Sequence, residues 1–270
     1  MSTVTTARPA ARPAAGRPAS RRRLITVAGG LVLPVALLAA WQAAASTGVY
    51  SVAQLPPPLS VAQALGELVD GGLLWQHIAI SVQRVLIGFA AGSALGFALG
   101  ALVGLSATVR TLLAPSIAAL RAVPSLAWVP LLVLWLGIGE GPKITLVAIG
   151  SFFPVYTTLS AALAHTDPHL VELGRAYGLR GASLLGRIML PGVAPSIFSG
   201  LRLGLAQGWL FLVAAELIAS SMGLGFLLTD SQNTGRTDIL LLAILLLAAL
   251  GKTCDVLLGL VERRVLRTHS

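Results

Sequence analysis

Apolar runs of about 20 residues recur along this chain, separated by short polar joints, and each is long enough to cross a hydrocarbon layer of about 30 Å. In that solvent a lone segment can satisfy its backbone N–H and C=O groups only as a helix. Charged residues are 11% of the 270, where soluble domains carry roughly 25%. The chain therefore reads as one all-α, polytopic membrane domain rather than a water-soluble globule.

Six spans are predicted at about 24–45, 82–105, 120–138, 142–163, 197–219 and 238–259. Arg121, Pro124 and Pro130 fall in or near the third and could break it. Residues 1–23 form a basic tail whose Ala, Pro, Arg and Thr cannot bury enough surface to offset ordering entropy, so disorder is expected there. The membrane domain is then 24–262, followed by a short tail, 263–270. Arg21-Arg22-Arg23 mimics a twin-arginine export signal and Ala43-Ala44-Ala45 a cleavage site, but further apolar runs follow, so an uncleaved first span is expected. Between the first two spans, Ser60-Val61-Ala62-Gln63 offers a capping box for a short helix.

Basic residues give the orientation. Arg8, Arg12, Arg17, Arg21, Arg22, Arg23, Arg110, Arg175, Arg180, Arg187, Arg263, Arg264 and Arg267 fall on one side, against Lys143 and Arg236 on the other. That bias puts both termini and the joint at 164–195 in the cytoplasm, and six is the smallest even span count that satisfies it. The formal charge of +9 does not indicate nucleic acid, since the basic residues sit in joints rather than on an aromatic-interleaved patch.

Two glycine ladders imply close helix packing. Gly88, Gly92, Gly96, Gly100 and Gly104 recur every fourth residue in the second span, and Gly200, Gly204 and Gly208 in the fifth. A ridge without side chains lets another backbone approach, and van der Waals contact then replaces the hydrophobic drive that lipid cannot supply. The spacing leaves open whether the partner is internal or another subunit.

The joint at 164–195 is a polar hairpin. Asp167 can cap a helix starting at Pro168, and Gly178 can close it in the left-handed conformation. Leu170, Leu173 and Tyr177 then share a face, while Glu172 and Arg175 project elsewhere. Such a helix suits a partner groove, or else lies passively on the bilayer. Glu172, Gly178, Ile188, Leu190 and Pro191 stand at the spacing E-A-A-x(3)-G-x(9)-I-x-L-P, with Leu173 and Gly174 in place of the two alanines. The hairpin thus resembles the cytoplasmic coupling loop of ATP-binding-cassette (ABC) importer permeases. Arg121-Ala122-Val123-Pro124-Ser125-Leu126-Ala127-Trp128-Val129-Pro130-Leu131, and Glu216 followed by Gly223-Leu224-Gly225, resemble the sulfonate, nitrate and taurine branch of that family.

The resemblance implies a bacterial inner-membrane permease subunit that passes a small anion such as an aliphatic sulfonate, taurine or nitrate. It also implies a separate ABC ATPase subunit carrying the ATP and Mg, an extracytoplasmic solute-binding protein, and a second copy of the permease, all within membrane lipid. Glu172, Leu173, Gly174, Gly178, Ile188, Leu190 and Pro191 would form the ATPase-coupling loop. The rival reading is a gradient-driven secondary transporter or channel without an ATPase. It would call for ionisable residues near the bilayer midplane and for inverted repeats.

Other chemistry finds little support. Gly251-Lys252-Thr253 ends like a phosphate-binding loop, but Leu246 stands where its first glycine belongs, so this chain is expected to bind no nucleotide or other cofactor itself. His165, Asp167 and His169 lie close together without a metal-binding pattern, and no metal is expected. No catalytic triad is evident, and the single Cys254 excludes an internal disulfide. Within the fifth span, Arg202 and Glu216 share a face largely opposite the glycine ridge, either bordering a translocation path or reaching the interfaces. In the fourth, Ser151, Tyr156, Thr157, Thr158 and Ser160 surround Pro154; their hydroxyls could meet a hydrated anion or bond back to their own helix.

Overall fold

A computed structural model describes residues 19–267, with side-chain surroundings from residue 32 onward except at 125 and 219. Most of the basic tail, 1–23, and residues 268–270 lie outside the described residues. The chain divides into two units, Met1–Pro58 and Leu59–Ser270. In the first, helix α1 (Ala19–Ser46) contains the expected first span, and the Trp41 indole N–H donates to the Pro56 carbonyl at 3.0 Å.

The rest is helical throughout the described residues. Helix α2 (Pro58–Asp70) starts two residues before the expected Ser60 cap, with proline supplying a preset φ at its first position. Helix α3 (Leu73–Leu105) begins after Gly72, held at φ 70°, and so extends nine residues beyond the expected start at 82. Helix α4 (Ala107–Ala122) opens with the Ser106 hydroxyl accepting from the Val109 N–H. Arg110 turns back to donate to the Val103 and Gly104 carbonyls at 3.2 and 2.9 Å, covering the exposed end of α3. Helices α5 (Trp128–Leu136) and α6 (Glu140–Ala164) follow, and after the hairpin come α10 (Ala194–Ala219), α11 (Leu224–Thr234) and α12 (Thr237–Arg267). Of these, α3, α6, α10 and α12 are long and apolar enough to cross a membrane.

The third span expected at 120–138 is not one helix. Pro124 drives its predecessor Val123 out of the helical region, to ψ 125°, so α4 stops at Ala122. A short 3-10 turn at Ser125–Ala127 then leads into the nine residues of α5. Likewise α12 runs to Arg267, past the expected boundary at 262.

Both glycine ladders pack on α6, so the partner is internal. A Cβ at Gly88 would stand 2.6 Å from Val147 Cβ, at Gly96 2.7 Å from the Phe152 carbonyl oxygen, and at Gly104 2.7 Å from Leu163 Cβ. At Gly92 it would run into the Ala148 carbonyl, and at Gly100 it would lie 3.1 Å from the Tyr156 carbonyl oxygen. From the other side, Gly200, Gly204 and Gly208 lie over Thr158 and Ser151 at 2.9–3.0 Å by the same measure. α6 is therefore the central element, clasped between α3 and α10 at backbone distance, with Leu146, Val147 and Leu159 fully buried in the seams.

Candidate functional site

The hairpin between α6 and α10 folds as a chain of short helices. In α7 (Pro168–Ala176) the Asp167 carboxylate accepts from the His169 N–H at 2.9 Å, and Gly178 at φ 79° turns the chain so that the Leu179 N–H reaches the Gly174 carbonyl. Then come α8 (Gly181–Leu184), a single π-helical turn at Leu185–Met189, and α9 (Leu190–Gly192). Leu170, Leu173 and Tyr177 are exposed, Tyr177 at 80%. Glu172 is exposed too, whereas Gly174 is buried.

The buried position explains its residue. A Cβ at Gly174 would stand 2.5 Å from Leu184 Cδ1 and 3.2 Å from Ile188 Cγ1, so glycine lets α7 lie directly on the π turn. Met189 and Val193 in turn join Ala101 of α3 and Leu159 and Leu163 of α6 in one buried cluster, with Val171, Leu185 and Leu190 against it. Pro191 is exposed in the first turn of α9. The hairpin thus presents an apolar stripe outward while its inner face is keyed to the ends of α3, α6 and α10.

At the opposite end of α6 lies an ionic clasp, buried at Arg84, Lys143 and Glu216 and open to the outside at Glu140. The Arg84 guanidinium of α3 donates to both Glu140 oxygens at 2.6 Å and, through Nη1, to Glu216 Oε1 at 2.6 Å and the Met222 carbonyl at 2.7 Å. Glu216 is 1% exposed and also accepts from the Ser81 hydroxyl and, at 2.8 Å, from the Gly225 N–H. Lys143 sits 3.1 Å from Glu140, so two cations balance two carboxylates. Gly223 and Gly225 are required here: Gly223 holds φ 125° and an added Cβ there would run into the Glu216 carboxylate, while a Cβ at Gly225 would lie 2.6 Å from Glu216 Cβ. The Gly223 and Leu224 N–H groups donate to His77 Nδ1 and Ser81 Oγ.

Both charges of the fifth span, Arg202 and Glu216, have partners on neighbouring helices. Glu216 is consumed in the clasp, and Arg202 pairs with Asp255 at 2.8 Å and Glu262 at 3.4 Å, tying α10 to α12. Each gained a charge partner on another helix, which rotation about its own helix axis cannot reveal. Arg236 similarly bridges Asp238 and Glu67 of α2, and the hydrogen bond it donates to Asp238 contributes most to holding its guanidinium pKa above the ordinary value.

Of the hydroxyls around Pro154, Thr157 and Ser160 donate to their own helix carbonyls at 2.8 and 3.3 Å. Ser151 is fully buried beneath Gly204 and Gly208. Thr158 instead lines a cleft of about 370 Å³ half-way along α6 and α10, together with Phe153, Gln207, Phe211 and Arg121 from the last turn of α4. Arg84 in the clasp and Arg121 on the cleft were not among the expected site residues; an arginine at the rim of an apolar run was the available signal for both.

The family profile described as "Binding-protein-dependent transport system inner membrane component" matches residues 92–267. The chain belongs to that family of ABC importer permeases. Its relatives place it in the sulfonate, nitrate and taurine branch. It is 46% identical over 235 residues to SsuC of Escherichia coli K12, named for aliphatic sulfonates transport, covering 87% of this chain and 89% of that one. With TauC of the same organism, a taurine transport system permease protein, identity is 36% over 239 residues and 87% of each chain. With NrtB of Leptolyngbya laminosa, a nitrate import permease protein, it is 31% over 200 residues, 74% of this chain and 71% of that one. Among solved structures, an inward-facing MetNI methionine ABC transporter shares the fold, with a TM-score of 0.62 at 18% identity over 73% of this chain and 96% of that chain. This permease is thus a transport component, with multiple membrane helices arranged as in its family.

Proposed function

We propose that this permease imports a short aliphatic sulfonate, ahead of taurine and nitrate, as one of two copies that together enclose a path through the bacterial inner membrane. A separate ABC ATPase hydrolyses Mg-bound ATP, and an extracytoplasmic binding protein delivers the solute. Both termini and the hairpin face the cytoplasm, in keeping with the arginines of the joints. Six crossings result, the third broken between α4 and α5.

The observation that carries this reading is the hairpin's two-sided construction. Leu170, Leu173 and Tyr177 offer an apolar stripe to a partner groove, and Glu172 and Gly178 complete the contact. A push on α7 passes through Gly174 to Leu184 and Ile188, and through Met189, Leu190 and Val193 to the ends of α3 and α6. Because α3 and α6 are packed backbone to backbone, they move as one body and need no flexible joint.

Leu173→Asp puts a charge in the centre of the stripe without touching the inner face. It should weaken association with the ATPase about tenfold or more while leaving membrane insertion intact. Co-elution from detergent and a fluorescence binding titration measure this; undiminished association would remove α7 as the docking element.

A further inference from the structure

The cleft between α4, α6 and α10 brings three hydrogen-bond donors together half-way across the bundle: the Arg121 guanidinium, the Thr158 hydroxyl and the Gln207 carboxamide. None of the three has a hydrogen-bond or ion-pair partner among the described residues, and no carboxylate lines the cleft. The contrast with their neighbours is plain. Thr157 and Ser160 spend their hydroxyls on helix carbonyls, while Arg84, Arg202 and Arg236 each hold at least one carboxylate. Arg121 and Gln207 are open to the cleft in the single chain, and an arginine without a carboxylate partner inside a membrane bundle is kept where an anion comes to meet it.

The cleft's other walls are apolar. Phe153 and Leu203 flank it, and the Phe211 ring occupies the space that a side chain at Gly150 would fill. At about 370 Å³ it has room for a small solute. The forked guanidinium suits a head with several oxygens in fixed geometry, and a hydroxyl and a carboxamide N–H can serve the remaining oxygen. The apolar wall suits a short hydrocarbon chain and gains nothing from a bare inorganic ion.

We infer that Arg121, Thr158 and Gln207 form an anion subsite within the permease that takes the sulfonate head of a short alkanesulfonate, with Phe153 and Phe211 against its chain. The inference rests on the proposed import of sulfonates and adds where on the permease the solute is held. The hold is weak by design, because a solute in transit must leave as readily as it arrives. A lipid phosphate with its acyl chain has the same chemistry, so the test must separate the two sources.

The permease is assembled with its ATPase and binding protein in zwitterionic proteoliposomes, and ATP-driven uptake of radiolabelled pentanesulfonate is measured. Arg121→Gln should lower uptake about tenfold or more, the loss of one charge-assisted contact, with the complex co-eluting as the wild type does. Arg121→Lys should restore part of the rate, and Thr158→Val and Gln207→Leu should each lower it by a smaller factor. Wild-type uptake by Arg121→Gln overturns the subsite and leaves sulfonate import standing. Loss of a bound phospholipid from Arg121→Gln in native mass spectrometry, with uptake unchanged, assigns the cleft to lipid and also overturns it. If the wild-type complex carries no organic sulfonate, the import reading itself fails and the subsite with it.

Discussion

Glu216 shows how a single desolvated carboxylate can organise one end of a membrane bundle. It serves Arg84, Ser81 and the Gly225 N–H at once, and so joins α3, α10 and the start of α11. Taking away one partner of such a pair leaves the other charge buried and uncompensated, at a cost of about 3–5 kcal/mol, more than the pair itself contributes. Glu216→Leu and Arg84→Met should each lower the melting temperature of the detergent-purified protein markedly. The double variant should lose less than the two single losses combined, because Glu140 still has Lys143. Additive losses would mean that the two charges act independently. At this scale the sequence was only half legible: Glu216 stood out as a charge in an apolar run, and Gly223-Leu224-Gly225 as a motif. Nothing in helical rotation placed Arg84 against them, since the expected span began at 82 and set that arginine at its rim.

The glycine ladders were legible to the residue, because an i±4 ridge without side chains has one physical consequence, close approach. What spacing could not supply was the partner, and both ladders turn out to share α6. Gly92→Leu should therefore separate α3 from α6, since the obstructing atom is the Ala148 backbone, which cannot rotate aside as a side chain would. Gly66→Ala in α2 is the control: nothing lies within 4 Å of the added carbon, and helix propensity favours alanine by about 1 kcal/mol. Fluorescence-detected gel filtration should show Gly92→Leu aggregated or absent and Gly66→Ala monodisperse; the same profile for both would contradict the packing. Element boundaries were less legible. Apolar composition carried the third span across Val123 and Pro124, where backbone sterics end the helix, and the polar His77 and Ser81 hid the first turns of α3, which the clasp had made affordable to bury.

Across the whole molecule, the two ends of α6 have opposite characters. One is locked by the Arg84 clasp, and the other carries a hairpin keyed to α3 and α6 yet apolar on its outer face. That polarity suits a rocking body driven from one side. The hairpin was readable as such because Asp167, Pro168 and Gly178 fix a helix by local rules alone, whereas the role of Gly174 depends on Leu184 and Ile188 and needed three dimensions. The direct test of ATP-driven anion import is pentanesulfonate uptake into proteoliposomes holding the permease and binding protein, with and without the ATPase. Uptake should require the ATPase and Mg-ATP together, and should stay at background under an imposed proton or sodium gradient alone. Uptake driven by such a gradient with no ATPase present would contradict it.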